Sequence, residues 1–135
     1  MPNGNVLVVE DDDTIRQLLM EYLKQHSLLT VDGARDGVEA LHQISTKRYS
    51  VVVLDLMMPK MSGVDLLDSI NALISDPSVK SIDRPPRVIV ITAASDLEVP
   101  SSAITSRSKL VRDVFRKPVD VAGLGDAVER ALTRA

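Results

Sequence analysis

Acidic residues stand directly after two of the most apolar runs in this chain. Asn5 to Val9 (NVLVV) leads straight into Glu10-Asp11, and Ser50 to Leu54 (SVVVL) leads straight into Asp55. A third run, Arg87 to Thr92 (RVIVIT), ends in a hydroxyl, and Val111 to Arg116 is followed by Lys117. A lone acid at a strand end is ordinarily a solvated carboxylate. Acids at two adjacent strand ends repel each other unless something neutralises them. A hard divalent cation does so through oxygen ligands, and Mg²⁺ typically takes one or two carboxylates, waters and phosphate oxygens. A hydroxyl and a lysine at the same point make a set suited to handling a phosphoryl group. Taken singly, Thr92 is an ordinary strand residue and Lys117 an ordinary surface residue. Their joint placement with the acids carries the reading.

That placement depends on the elements between these residues. Asp13 to Gln25 puts Ile15, Leu18, Leu19, Tyr22 and Leu23 on one helical face, with Asp12 or Asp13 as its cap. Leu28 to Val31 reads as a weak second strand, and Gly37 to Ser45 as a short helix with Val38, Leu41 and Ile44 on one side. Val64 to Ile74 is a third helix facing inward through Leu66, Leu67, Ile70, Leu73 and Ile74. Ser75 to Pro86 is a loop closed by Pro85-Pro86. A helix over Ser101 to Lys109 follows the fourth strand, and Val121 to Leu132 makes the last helix through Val121, Leu124, Val128, Ala131 and Leu132.

Strands alternating with helices imply parallel crossovers and a sheet covered on both faces. Right-handed crossovers then favour an α/β, flavodoxin-like, doubly wound five-stranded sheet in the order 2-1-3-4-5. Ligands of such sheets bind beyond the carboxyl ends of the strands, where the winding reverses. Here that point lies between the first and third strands, where Glu10, Asp11 and Asp55 would meet.

Composition agrees with one globular domain over residues 1–135. Hydrophobic residues are 44% and charged residues 26%, with a formal net charge of -3, so neither disorder nor a broad basic face is implied. The absence of Cys removes disulfide scaffolds, thiol catalysis and zinc-thiolate sites. Aromatics are Tyr22, Tyr49 and Phe115 alone, so the core is aliphatic and base-stacking platforms are lacking. The opening MPNGN is not a leader and no apolar run is long enough to span a bilayer, so a cytoplasmic protein without membrane or direct nucleic-acid contacts is expected.

VLVVEDD, VVVLDLMMPKMSG, VIVITA and FRKP, in that order, closely resemble the receiver domain of two-component response regulators, including single-domain chemotaxis-type receivers. The spacing in VDGARDGVEAL is similar too, and the resemblance covers essentially the whole chain. It implies that Asp55 is the phosphoacceptor, taking a phosphoryl group from a sensor histidine kinase or phosphotransfer protein. It implies that Asp11 binds Mg²⁺ directly, Glu10 through water, and Met57 through its backbone carbonyl. Thr92 is then the switch hydroxyl, Lys117 the lysine that pairs with the phosphoryl group, and Lys117-Pro118 a cis peptide. The implied protein is a switch, not an enzyme with a separate substrate. Its chemistry is limited to its own phosphorylation and dephosphorylation, its readout is a downstream protein target, and homodimerisation is open to it.

The match departs from the family at one flank. The position three residues before the lysine, often Tyr or Phe, is Val114, and alternation points Phe115 to the other face. Leu110 and Val111 replace the small Gly-Ala step before the fifth strand, and the 75–86 loop is longer than usual. Arg107, Lys109, Arg112 and Arg116 make this region, which the family uses for signalling, locally basic, and a solvated charged face is the simpler explanation. Met57 and Ala94 flank the approach of hydrolytic water without a side chain to position it, so slow self-dephosphorylation is expected. The main alternative is a non-phosphorylated pseudo-receiver acting as a constitutive interaction module. An aspartyl phosphohydrolase is disfavoured because Met57 occupies the place of its second acid. A nucleotide-binding flavodoxin-like protein is disfavoured because no Gly-rich phosphate loop follows the first strand.

Overall fold

The computed structural model describes residues 3–25, 28–58, 61–76, 85–95 and 97–133. Five strands alternate with five helices: β1 (Asn3–Val9), α1 (Asp13–Lys24), β2 (Leu28–Ala34), α2 (Gly37–Thr46), β3 (Val51–Asp55), α3 (Gly63–Ser75), β4 (Arg87–Thr92), α4 (Ser101–Arg107), β5 (Val111–Arg116) and α5 (Val121–Thr133). All strand pairs are parallel, in the order β2-β1-β3-β4-β5. The doubly wound sheet expected from the alternation is therefore the fold observed.

Side-chain alternation along the strands sorts the core into two layers. Leu7, Val9, Val52, Leu54, Val88 and Val90 pack with residues of α2, α3 and α4. Val6, Val8, Val51, Val53, Ile89 and Ile91 pack against α1 and α5. Strands buried on both faces read as unbroken apolar runs, which is why the strand signals in this sequence are so strong. Full burial of each large aliphatic side chain contributes roughly 1.5–3 kcal/mol.

The helices start where the sequence offers caps. The Asp12 carboxylate accepts from the Ile15 amide at 2.9 Å and so caps α1, while Asp13 lies in the first turn and pairs with Arg16. Asp36 and Ser62 cap α2 and α3 in the same way. Two expected faces are narrower than their periodicity suggested. Leu18 is 58% exposed, because α1 buries only the Leu19–Leu23 line. Val38 is 54% exposed, because α2 approaches the sheet through Gly37, Ala40 and Ile44. The helix after β4 ends at Arg107, two residues earlier than expected. Within the expected 75–86 loop, residues 77–84 lie outside the described residues.

β5 is the irregular strand. Val88 pairs with Val111 but Ile89 pairs with Asp113, so one extra residue is accommodated at Arg112. Beyond that shift Val114 faces the α4 layer and Phe115 the α1/α5 layer, as alternation predicted.

Candidate functional site

Register alone brings the acids together. Val9 pairs with Leu54, so the residues that follow, Glu10 and Asp55, leave adjacent strands side by side. Glu10 is completely buried and Asp55 is 1% exposed, whereas Asp11 is exposed. Carboxylate oxygens of Glu10, Asp11 and Asp55 all lie within 4.8 Å of one another. Charges this close and this deep need compensation.

Lys117 supplies part of it. Its Nζ stands 2.6 Å from Glu10 Oε1, an ion-pair contact outside hydrogen-bond angles, and donates to Asp55 Oδ2 at 3.2 Å. Burial works against the Lys117 ammonium, but the contact with Glu10 and the charge of Asp55 outweigh it and raise its pKa. Asp11 is raised as well, first by burial and then by its hydrogen bond with Glu10 and the Glu10 charge.

Backbone groups fix the acids in place. The Glu10 amide donates to the Ala34 carbonyl at 3.0 Å, and Glu10 Oε2 accepts from the Asp12 amide at 3.2 Å. Arg16 of α1 donates to the Glu10 carbonyl at 2.9 Å. Asp55 Oδ1 accepts from the Met57 amide at 3.1 Å, while the Met57 side chain is 62% exposed. Gly63 lets α3 begin hard against the end of β3, where its amide donates to the Leu56 carbonyl at 2.9 Å. A Cβ at Gly63 would lie 2.6 Å from Leu56 Cα and 2.7 Å from the Asp55 carbonyl oxygen, so only glycine permits this approach.

Thr92 is fully buried at the end of β4. Its carbonyl accepts from the Lys117 amide at 2.8 Å and its hydroxyl accepts from the Ala94 amide at 3.1 Å. The Lys117-Pro118 bond is cis. The donor set suits a hard cation: clustered carboxylate oxygens, two of the three residues buried, and no softer ligand among them.

Glu10, Asp11, Asp55, Thr92 and Lys117 thus converge at the carboxyl edge of the sheet, with Met57 beside Asp55. The residues expected on a signalling surface do not form one cluster. Val114 and Phe115 are half-buried on opposite faces. Arg107, at the end of α4, donates to both carboxylate oxygens of Asp68, at 2.8 and 3.3 Å. Arg112 lies at the far edge of the sheet and lines a groove of about 670 Å³ with Arg48 and Arg87. Sequence reasoning passed over the bond of Arg16 to the Glu10 carbonyl and those of Arg116 to the Ala94 and Val99 carbonyls, because backbone acceptors leave no mark in the sequence.

Comparison with known proteins gives consistent results. The family model described as the response regulator receiver domain matches residues 6–129. Sporulation initiation phosphotransferase F of Bacillus subtilis (strain 168) is 31% identical over 132 residues, covering 98% of this chain and 96% of that protein. The receiver domain of the Francisella response regulator 1452 superposes with a TM-score of 0.79 at 29% identity, covering 98% of each chain. A signal receiver domain from Vibrio parahaemolyticus superposes with a TM-score of 0.81 at 26% identity, over 98% of this chain and 92% of that one.

Proposed function

The chain belongs to the response regulator receiver domain family, and from that premise we propose that it is a phosphorylatable switch whose acceptor is Asp55. The observation that carries this reading is the cluster itself: three carboxylates within 4.8 Å, bridged by a lysine held 2.6 Å from Glu10 and 3.2 Å from Asp55.

The donor is a phosphohistidine on a sensor histidine kinase or phosphotransfer protein. A carboxylate oxygen of Asp55 attacks phosphorus, forming the O–P bond of an acyl phosphate as the N–P bond breaks, and the donor imidazole keeps the bonding electrons. Lys117 pairs with the phosphoryl oxygens and offsets the charge that accumulates on them. Glu10, Asp11, Asp55 and the backbone carbonyl of Met57 would hold Mg²⁺, which when bound neutralises phosphoryl charge as a Lewis acid. The Thr92 hydroxyl leaves the Ala94 amide and donates to the new phosphoryl group. The product is an altered surface of the same chain, which a downstream protein reads. The protein therefore acts as a switch and not as an enzyme on a separate substrate. Among the described residues no helix is long and apolar enough to cross a membrane, and we place the switch in the cytoplasm with its donor.

Intact-mass spectrometry after incubation with acetyl phosphate tests the reading. Wild-type protein should gain one phosphoryl group in the presence of Mg²⁺, and Asp55→Ala should gain none. No gain by the wild type under any condition would favour a pseudo-receiver that binds its partner constitutively.

A further inference from the structure

Arg116 stands next to Lys117 but reaches away from the acidic centre, into the segment between β4 and α4. Its Nη1 donates to the Ala94 carbonyl at 2.8 Å. Its Nη2 donates to the Val99 carbonyl and to the Ser101 hydroxyl, each at 2.9 Å. Register explains the direction: Arg116 pairs with Thr92 and shares the face of Val114, the one that meets α4. The guanidinium fork reaches the Ala94, Val99 and Ser101 acceptors from one rigid plane, which a lysine ammonium on a flexible stem does not reproduce.

These contacts tie β5 to the segment that leads into α4, beside the apolar packing of Ile104 and Val99 with Val111 and Val114. Ala94 is held from both sides, its amide by the Thr92 hydroxyl and its carbonyl by Arg116. At the other end of the clasp, α4 has seven residues, its N-cap is Pro100 with no side-chain cap bond, and Ile104 is its buried residue. A helix so short and poorly capped is marginal without tertiary ties. Val114, half-buried on the same strand and face, has no ring and no polar atom with which to report on Thr92.

We propose that Arg116 is a positioning residue that couples the Thr92 hydroxyl to the start of α4. When the hydroxyl turns from the Ala94 amide to a phosphoryl group on Asp55, Ala94 loses one of its two restraints. The guanidinium transmits that loss to Val99 and Ser101. The coupling rests on the phosphoacceptor reading, and it assigns the relay to a cation bonded to backbone, in a chain that lacks an aromatic residue at Val114.

Hydrogen–deuterium exchange by mass spectrometry on the full chain tests it, with wild type, Arg116→Ala and Arg116→Lys, each with and without Mg²⁺ plus beryllofluoride as a phosphoryl mimic. Without ligand, Arg116→Ala should raise exchange across residues 97–107 about tenfold and leave β1 and β3 unchanged. With the mimic, both proteins should gain protection around Asp55, but only the wild type should change at 97–107. Arg116→Lys should fall between them. Unchanged exchange at 97–107 in ligand-free Arg116→Ala, or a wild-type response of that segment to the mimic in this variant, would overturn the proposal. Absence of protection around Asp55 in the wild type would instead overturn the acceptor reading, and the coupling with it. The ligand-free arm would still decide whether the clasp holds α4.

Discussion

The acidic centre and the α4 flank share one sheet but are built to opposite standards. At the ends of β1 and β3, Glu10 and Asp55 are buried, strand register fixes their spacing, and backbone or Lys117 contacts hold them. At the flank, α4 buries one residue, β5 carries a register shift, and most of β5 is half-buried. Well-buried regions open last and sparsely buried ones first, so the acidic centre should be the stiffer of the two. Substitutions at the two places should therefore differ in cost, and a graded series measures the gap.

The largest effect belongs to Lys117→Met. Removing the cation leaves buried carboxylates without their ion-pair partner, at a cost of about 3 kcal/mol. Chemical denaturation reads this directly, and Mg²⁺ should raise the stability of the variant more than that of the wild type, because a bound cation takes over part of the neutralisation. A loss no larger than that of an exposed lysine would break the contrast. Next comes Gly63→Ala, at about 2 kcal/mol, because the new methyl meets backbone of Leu56 and Asp55 that cannot yield. An Ala103→Gly control on the exposed side of α4 should cost about 1 kcal/mol or less. If the two variants melt together, the centre is no stiffer than the flank.

The same contrast governs what could be read without the structure. β4 falls on the expected residues, because a strand buried on both faces is an apolar run with sharp ends, and β5 does so as a polar, half-buried strand between Leu110 and Lys117. Glu10, Asp55 and Thr92 were legible because each stands one step past, or at the end of, such a run, and Lys117 because it directly follows the fifth strand. Periodicity overstated the inner faces of α1 and α2, since Leu18 and Val38 lie at stripe margins that the sheet does not reach. The shift at Arg112 was invisible, because an extra residue in a polar strand changes pairing without changing pattern. The reach of Arg116 was invisible for a different reason: its acceptors are mostly carbonyls of a loop, and any residue type supplies a carbonyl.

Between the two extremes lies the polar cluster at Asp32. Its carboxylate accepts from Lys47 Nζ and from the Tyr49 hydroxyl, both at 2.7 Å. Burial works to raise the Asp32 pKa, but the hydrogen bonds from Lys47 and Tyr49 outweigh it and hold the carboxyl below its ordinary value. A carboxyl lowered by folding adds stability that is complete above its unfolded pKa of about 3.9 and disappears as pH falls through the lower folded value. Tyr49→Phe should cost about 1 kcal/mol at neutral pH, discounted because Asp32 is partly exposed, and should flatten the loss of stability below pH ~4. An unchanged acid limb would mean that Lys47 alone holds the charge.

The smallest effect is expected at Arg107, although its bond to Asp68 has better geometry than many stronger contacts. The guanidinium meets the carboxylate through two nitrogens at 2.8 and 3.3 Å, and it joins α4 to α3. Both side chains are about half exposed, so water screens the attraction in the fold and solvates each ion well when they part. Arg107→Ala should therefore leave the denaturation midpoint almost where it is, and what small shift there is should vanish at 1 M salt, where the Debye length is about 3 Å. A larger or salt-resistant loss would mean that α4 is pinned at its C-terminal end as firmly as the acids are in theirs. The flank would then be no looser than the acidic centre.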